Sequence, residues 1–420
     1  MTNVKFNFQV RQLVLSICCL LTVFQTACDS KNVDPLDQLF PVSESEVSLS
    51  NGRLSVRLKD SGVLQSIRLI PDESQPNRKI SIGNTLGLWV AGDQNGTKSN
   101  ISAPIASAVD NFELKGPVAD GGGLYIVSKN EFLAGYDSWP SEYGAPTHPN
   151  GSPKMFGDEM AWGAFWAASN SGITTNSFSD LKVAATAYVF NDDDLKGSLF
   201  VRYEISNESP VPMENLHIGF GGDVDLFWSD PANPPCGQLN PSWNQSGYNL
   251  VKNFSYTYSK PEPSDGDLPS GCYGALVGYS IVGSNSYGGF PTSMLAHRIL
   301  TRTPEVPFQS FNETEIKSPN HVLLALQGLS SLGEPMISPA TGETTAFAYT
   351  GNPVTGAGWV DSRKDVRSLQ SISPISLAPG ETVVTIVAIF TTVSSSFEEG
   401  FEGISAAYDN VMRQRSTWDY

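Results

Sequence analysis

Basic residues are scarce. The chain carries 26 Lys and Arg against 43 Asp and Glu in 420 residues, a net charge of −17. Such a surface repels nucleic acid and anionic lipid head groups, which excludes contact through a basic face. Charge of either sign is thin, at 16%, which suits short strands and turns better than solvent-exposed helices. No apolar run approaches the roughly 20 residues of a membrane-spanning helix. The four histidines are scattered, and neither Cys-x-x-Cys nor His-x-x-x-His occurs, so the common zinc spacings are missing.

Catalytic signatures are missing too. Gly-x-Ser-x-Gly is absent, because Gly278-Tyr279-Ser280-Ile281-Val282-Gly283 is one residue out of register. No phosphate-cradling loop ends in Gly-Lys-Ser/Thr, and no dinucleotide fingerprint opens a helix. His217 lies in an alternating strand-like stretch and His297 follows an apolar one, and each reads as a packed or surface residue rather than a base. Paired carboxylates would serve a glycosidase, but 43 acidic residues supply such pairs without specificity.

What is present begins at the N-terminus. Lys5 and Arg11 precede an apolar stretch, Leu13 to Phe24, that ends in Gln25-Thr26-Ala27-Cys28. A basic start, a short apolar run and small residues make a secretory signal peptide. A cysteine at that place resembles a bacterial lipobox, with Gln25 where the pattern prefers Leu. The resemblance implies cleavage before Cys28, lipidation of Cys28, export by the general secretory route and a lipid anchor in the outer rather than the inner membrane. Several acyl chains make such attachment durable, where one alone is marginal.

The expected organisation is a signal peptide over 1–27, a polar tether over 28–46 and a β-sandwich region over 47–228. A long loop over 229–271 and a β-rich region over 272–420 ending in a helix follow. Leu54, Val56 and Leu58 alternate with Ser55 and Arg57, Asp60-Ser61-Gly62 signals a turn, and Val63 to Ile70 returns. Strands are also expected at 86–91, 123–128, 183–190, 199–206 and 383–390. Phe397, Phe401, Ile404, Tyr408 and Val411 recur at helical spacing, although Gly400 and Gly403 weaken that helix by about 1 kcal/mol each. Asn191 to Asp194 reads as an acidic hairpin turn. The fold class is therefore mainly β: antiparallel sheets in one or more β-sandwiches, long loops and one C-terminal helix.

Cys18 and Cys19 leave with the signal. Cys236 and Cys272 remain, and an exported chain with two spare cysteines is expected to pair them. The closed loop would stabilise by roughly 3–4 kcal/mol.

Two features carry the candidate chemistry. Asp223 and Asp225 place two carboxylates on one face of a strand or around a hard cation, which makes calcium the one cofactor the sequence raises. Gly221 and Gly222 permit an unusual backbone beside them. Trp139, Trp162, Trp166, Trp228 and Trp243 fall in a Gly- and Pro-rich stretch. Burial is the reading for most of them; Trp139, Trp228 and Trp243 are the candidates for stacking on a sugar or a partner protein.

Several short blocks carry a wider resemblance. They are Gly87-Leu88-Trp89-Val90-Ala91-Gly92, Trp139-Pro140 with Gly144-Ala145-Pro146, Leu199 to Asn207, and Asp223-Val224-Asp225. Gly351 to Gly356 with Gly358-Trp359-Val360-Asp361, and Leu377 to Glu381, complete the set. In this order they resemble large secreted or surface-attached β-rich proteins of Bacteroidetes-type and related Gram-negative bacteria. The resemblance implies a β-sandwich envelope protein and no established enzyme activity. Where relatives carry an acidic, calcium-like loop, this chain reads Thr147 to Pro153 with no carboxylate, which removes support for calcium at that place. The hairpin Leu49 to Ile70 also resembles the start of the large sandwich in sugar mutarotases and polysaccharide lyases.

The expectation is thus a non-catalytic, lipid-anchored envelope protein with a structural, adhesive or ligand-binding role through loops near 136–166 and 229–271. A polysaccharide-binding or polysaccharide-degrading surface protein is the alternative, and an accessory subunit of an envelope or secretion complex is the third. The partners expected are the membrane, a glycan or an envelope protein.

Overall fold

A computed structural model describes residues 46–418 apart from 60–61, 72, 74–78, 103–114, 118–123, 130–135, 137, 167–177, 229–243, 260–273, 286–293, 302–310, 313–315, 317, 362–365 and 395. Cys28, Cys236, Cys272 and Trp243 lie outside the described residues, as do the signal segment and nearly all of the expected tether.

The chain opens with β1 (Glu46–Ser50), β2 (Leu54–Lys59), β3 (Leu64–Leu69), β4 (Ile80–Gln94) and β5 (Thr97–Ser102). It then supplies β6 (Lys115–Pro117), β7 (Tyr125–Ser128), β8 (Glu159–Trp166), β9 (Leu181–Val189) and β10 (Ser198–Asn207). Next come β11 (Met213–Asp223), β12 (Phe227–Trp228), β13 (Asn244–Asn249), β14 (Phe254–Ser259), β15 (Gly274–Ser284), β16 (Met294–Thr301) and β17 (Phe311–Asn312). Helix α1 (Pro319–Leu326) leads to β18 (Met336–Ile337), β19 (Thr344–Thr345), β20 (Val366–Ile372), β21 (Ile375–Leu377) and β22 (Thr382–Ser394), and α2 (Phe397–Arg413) follows.

Among the described residues the strands form two large sheets. Sheet one runs β1-β2-β3-β4-β11-β20-β16-β17, with β5 and β12 also on β4 and β21 on β11. Sheet two runs β13-β14-β15-β22-β10-β9-β8-β6, with β7 also on β8. Pairing within them is antiparallel except for β16 with β17. Both sheets mix strands from before residue 229 and after residue 271, so the two stretches share one sandwich.

Alternation along the strands explains the layers. On β10, Leu199, Val201, Tyr203 and Ile205 point inward and meet Leu54, Val56, Leu86 and Leu88 of sheet one in the central core. Phe200 points the other way, with Tyr188, Phe254, Tyr256 and Phe390, onto the outer face of sheet two. Helix α2 covers that face. The expected C-terminal helix is therefore present, with an N-cap in which the Ser396 side chain accepts from the Glu399 N–H. Gly400 and Gly403, which lower its intrinsic propensity, face the sheet: a Cβ there would lie 2.6 Å from Leu276 Cδ1 or 2.5 Å from Thr392 Oγ1. They exchange propensity for close approach.

Two elements depart from expectation. The stretch 229–271 holds the hairpin β13–β14 rather than only loop. Phe254, Tyr256 and Tyr258 alternate there with Ser255, Thr257 and Ser259, a period-2 pattern in which aromatics supply the apolar face. Helix α1 is the second. Its start is written as Ser318-Pro319: the Ser318 side chain accepts from the His321 N–H, and Pro319 sits in the first turn. It buries Val322, Leu323 and Leu326 against Trp89 and Leu369 on the outer face of sheet one.

Candidate functional site

Asp223 ends β11, and Arg367 lies directly opposite it on β20. A carboxylate oxygen of Asp223 stands 3.2 Å from Arg367 Nη2, and each side chain is 1% exposed. Asp225 follows the strand end, half-buried, with Asn244 Nδ2 3.5 Å from its Oδ1. The carboxylate of Asp361 accepts from the Ser246 N–H at 2.8 Å. The two carboxylates singled out for calcium thus differ in environment: Asp223 is matched by a guanidinium and Asp225 by an amide. Among the described residues no group of three or more His, Cys, Asp or Glu is placed to hold a metal. Arg367 is the residue sequence reading missed, because its partner lies 144 positions away.

The tryptophans separate. Trp139 is 5% exposed, donates its indole N–H to the Pro146 carbonyl at 2.9 Å and packs on Trp162 with ring centroids 6.4 Å apart. Trp139 is therefore corrected as a stacking platform: its ring faces are covered by protein. Trp228 lies on β12 opposite Ile80, and its side chain, like Trp243, is outside the described set.

The loop near 136–166 does organise a site, on other residues. It packs on the outer face of sheet two through Trp139, Ala145 and Phe156. Its backbone is held by Lys154 N–H to Pro146 O and His148 N–H to Ser152 O, both at 2.9 Å. Under it the register aligns Trp162 on β8, Thr186 on β9 and Arg202 on β10 in one row. The next row is Ala164, Ala184 and Glu204. Small side chains thus lie between an aromatic wall and a polar one. Tyr125 and Trp139 back Trp162 on one side, the Tyr125 ring 6.1 Å away. On the other, Arg202 Nη1 is 2.8 Å from Glu204 Oε1, and its guanidinium lies 5.3 Å from the centre of the Phe156 ring. Lys182 Nζ reaches the Tyr143 carbonyl at 3.4 Å and joins the loop to the sheet. Burial, then Tyr143 and Glu142, raise the Tyr125 phenol above its usual pKa, so it stays a neutral hydrogen-bonding group.

No protein-family model matches the sequence, and no curated protein matches it. Solved structures do show similarity. An aldose 1-epimerase-like protein of Escherichia coli K12 matches at a TM-score of 0.33 and 9% identity, over 83% of this chain and 98% of that one. A polysaccharide lyase matches at a TM-score of 0.30 and 9% identity, over 87% of this chain and 35% of the lyase. Both are loose likenesses of fold.

Proposed function

We propose that this chain is an exported envelope protein, held to a membrane by lipid on Cys28, whose sandwich body binds a ligand without transforming it. The observation that supports binding is the row Trp162–Thr186–Arg202 beneath the 138–156 loop. It joins an aromatic ring, a hydroxyl and a paired guanidinium, all buried beneath the loop, on one rigid sheet, the kinds of group that furnish binding sites. The carboxylates support the non-catalytic part. Asp223 and Glu204 each pair with an arginine, a structural use of both carboxylates.

A polysaccharide as the ligand is the second reading. Aromatic rings beside an Arg–Glu pair and a hydroxyl suit a polyhydroxylated ring, whose faces are apolar and whose rim is hydrogen-bonding. The test has two arms. Fractionation of cells expressing the wild type and Cys28→Ser reads the anchor: the variant moves to the soluble fraction, and a wild type already soluble overturns anchoring. A glycan array with the mature chain reads the ligand. A reproducible hit supports the polysaccharide reading, and a clean negative with and without calcium removes it.

A further inference from the structure

Trp162 and Thr186 are directly opposed on β8 and β9, so both side chains stand on the same face of sheet two. They are 2% and 1% exposed. Neither the Trp162 indole N–H nor the Thr186 hydroxyl has a hydrogen-bond partner among the described residues. This is unusual for groups so deeply buried. An indole nitrogen can only donate, whereas a threonine hydroxyl both donates and accepts. Two adjacent orphans of complementary type therefore define a place that one hydroxyl group fills, accepting from the indole and exchanging a bond with Thr186.

The surroundings say what carries that hydroxyl. Ala164 and Ala184, buried in the neighbouring row, put only methyl groups beside it. The Tyr125 ring forms one wall, and the Arg202–Glu204 pair forms the other. We infer that Trp162 and Thr186 form the hydroxyl-recognising subsite of a carbohydrate-binding site, reached when the Trp139 end of the loop lifts from Trp162. The inference rests on the polysaccharide reading above and adds the contacting atoms.

The test reads the indole N–H directly. In the mature chain labelled with nitrogen-15, the Trp162 indole resonance is assigned by its loss in Trp162→Phe, which keeps most of the ring area and removes the donor. The chain is then titrated with the methyl glycosides of glucose, galactose, mannose and N-acetylglucosamine. The expected result is a saturable shift of that resonance for at least one sugar. Affinity should weaken roughly tenfold in Thr186→Val, as for one lost hydrogen bond between neutral groups. A positive array with a Trp162 resonance that ignores every sugar places binding elsewhere and overturns this subsite while leaving the broader reading intact. A resonance that ignores every sugar together with a negative array overturns both, and means that a buried water alone fills the place.

Discussion

Asp223 and Arg367 face each other across β11 and β20, carboxylate to guanidinium at 3.2 Å, with both side chains 1% exposed. The pair sits at the end of β11, two residues before Asp225, which Asn244 Nδ2 approaches at 3.5 Å. A buried pair is asymmetric in its energetics: desolvation of two ions offsets much of their attraction, but removing one leaves an uncompensated charge.

Arg367→Ala is therefore expected to cost about 3–5 kcal/mol. Replacing both residues by apolar ones of similar size, Asp223→Leu with Arg367→Met, should cost less than the single change. Urea denaturation of the two single variants and the double variant checks this. Additive losses would mean that the two groups do not depend on each other.

His217 supplies a pH dependence. It is 2% exposed, and its Nδ1–H donates to the Asn215 carbonyl at 2.9 Å. Burial lowers its pKa, against the opposing pull of the Asn215 bond and of Asp93. A folded-state value below the unfolded one, about 6.5, means the unfolded chain binds more protons as the medium acidifies. The His217 contribution is thus fully present above about pH 6.5 and is lost as pH falls through the lowered value. Between pH 7.5 and 5 the wild type should lose more stability than His217→Asn. Equal losses by denaturant melts at the two pH values would show that His217 is not the group responsible.

Gly221 tests close approach. A Cβ there would meet the Ser368 carbonyl oxygen at 2.1 Å and Leu369 Cα at 2.8 Å. Both are backbone atoms of β20, which cannot rotate away. Gly221→Ala should destabilise by about 3 kcal/mol or more, at the upper end for overpacking. A thermal melt unchanged from wild type would show that β11 and β20 separate easily here.

Phe390 tests the seating of α2. It is fully buried on the outer face of sheet two, with Phe254 and Tyr408 rings 5.4 and 5.6 Å from it. Phe390→Ala should cost about 3–5 kcal/mol. Because Tyr408 belongs to α2, limited proteolysis should then cut first within 397–413. Cutting elsewhere first would mean that the helix is held mainly by its other contacts, such as Lys252 Nζ to Asp409 at 2.8 Å.

Parts of this architecture are legible in the chain. Leu54, Val56 and Leu58 alternate, and β2 follows. Phe397, Phe401, Ile404 and Tyr408 keep helical spacing, and α2 follows. The acidic run after Asn191 is the β9–β10 turn, with the Asp194 N–H donating to the Asp192 carboxylate at 2.9 Å. The hairpin β13–β14 escapes a reading by composition because Ser, Thr and Asn dominate it, although Phe254, Tyr256 and Tyr258 mark one face. The capping of α1 is also written locally, in Ser318-Pro319.

The sequence by itself determined the β-rich character, the turns, the C-terminal helix and the acidic balance, because periodicity and turn chemistry act between near neighbours. The tertiary structure decided which side chains share a surface. Trp139 lies under cover because the loop folds its indole N–H onto Pro146, while Trp162, Thr186 and Arg202 meet only through the register of β8, β9 and β10. Asp223 finds Arg367 across 144 positions. Such pairings follow from strand order, and strand order emerges when two complete sheets bury a common core.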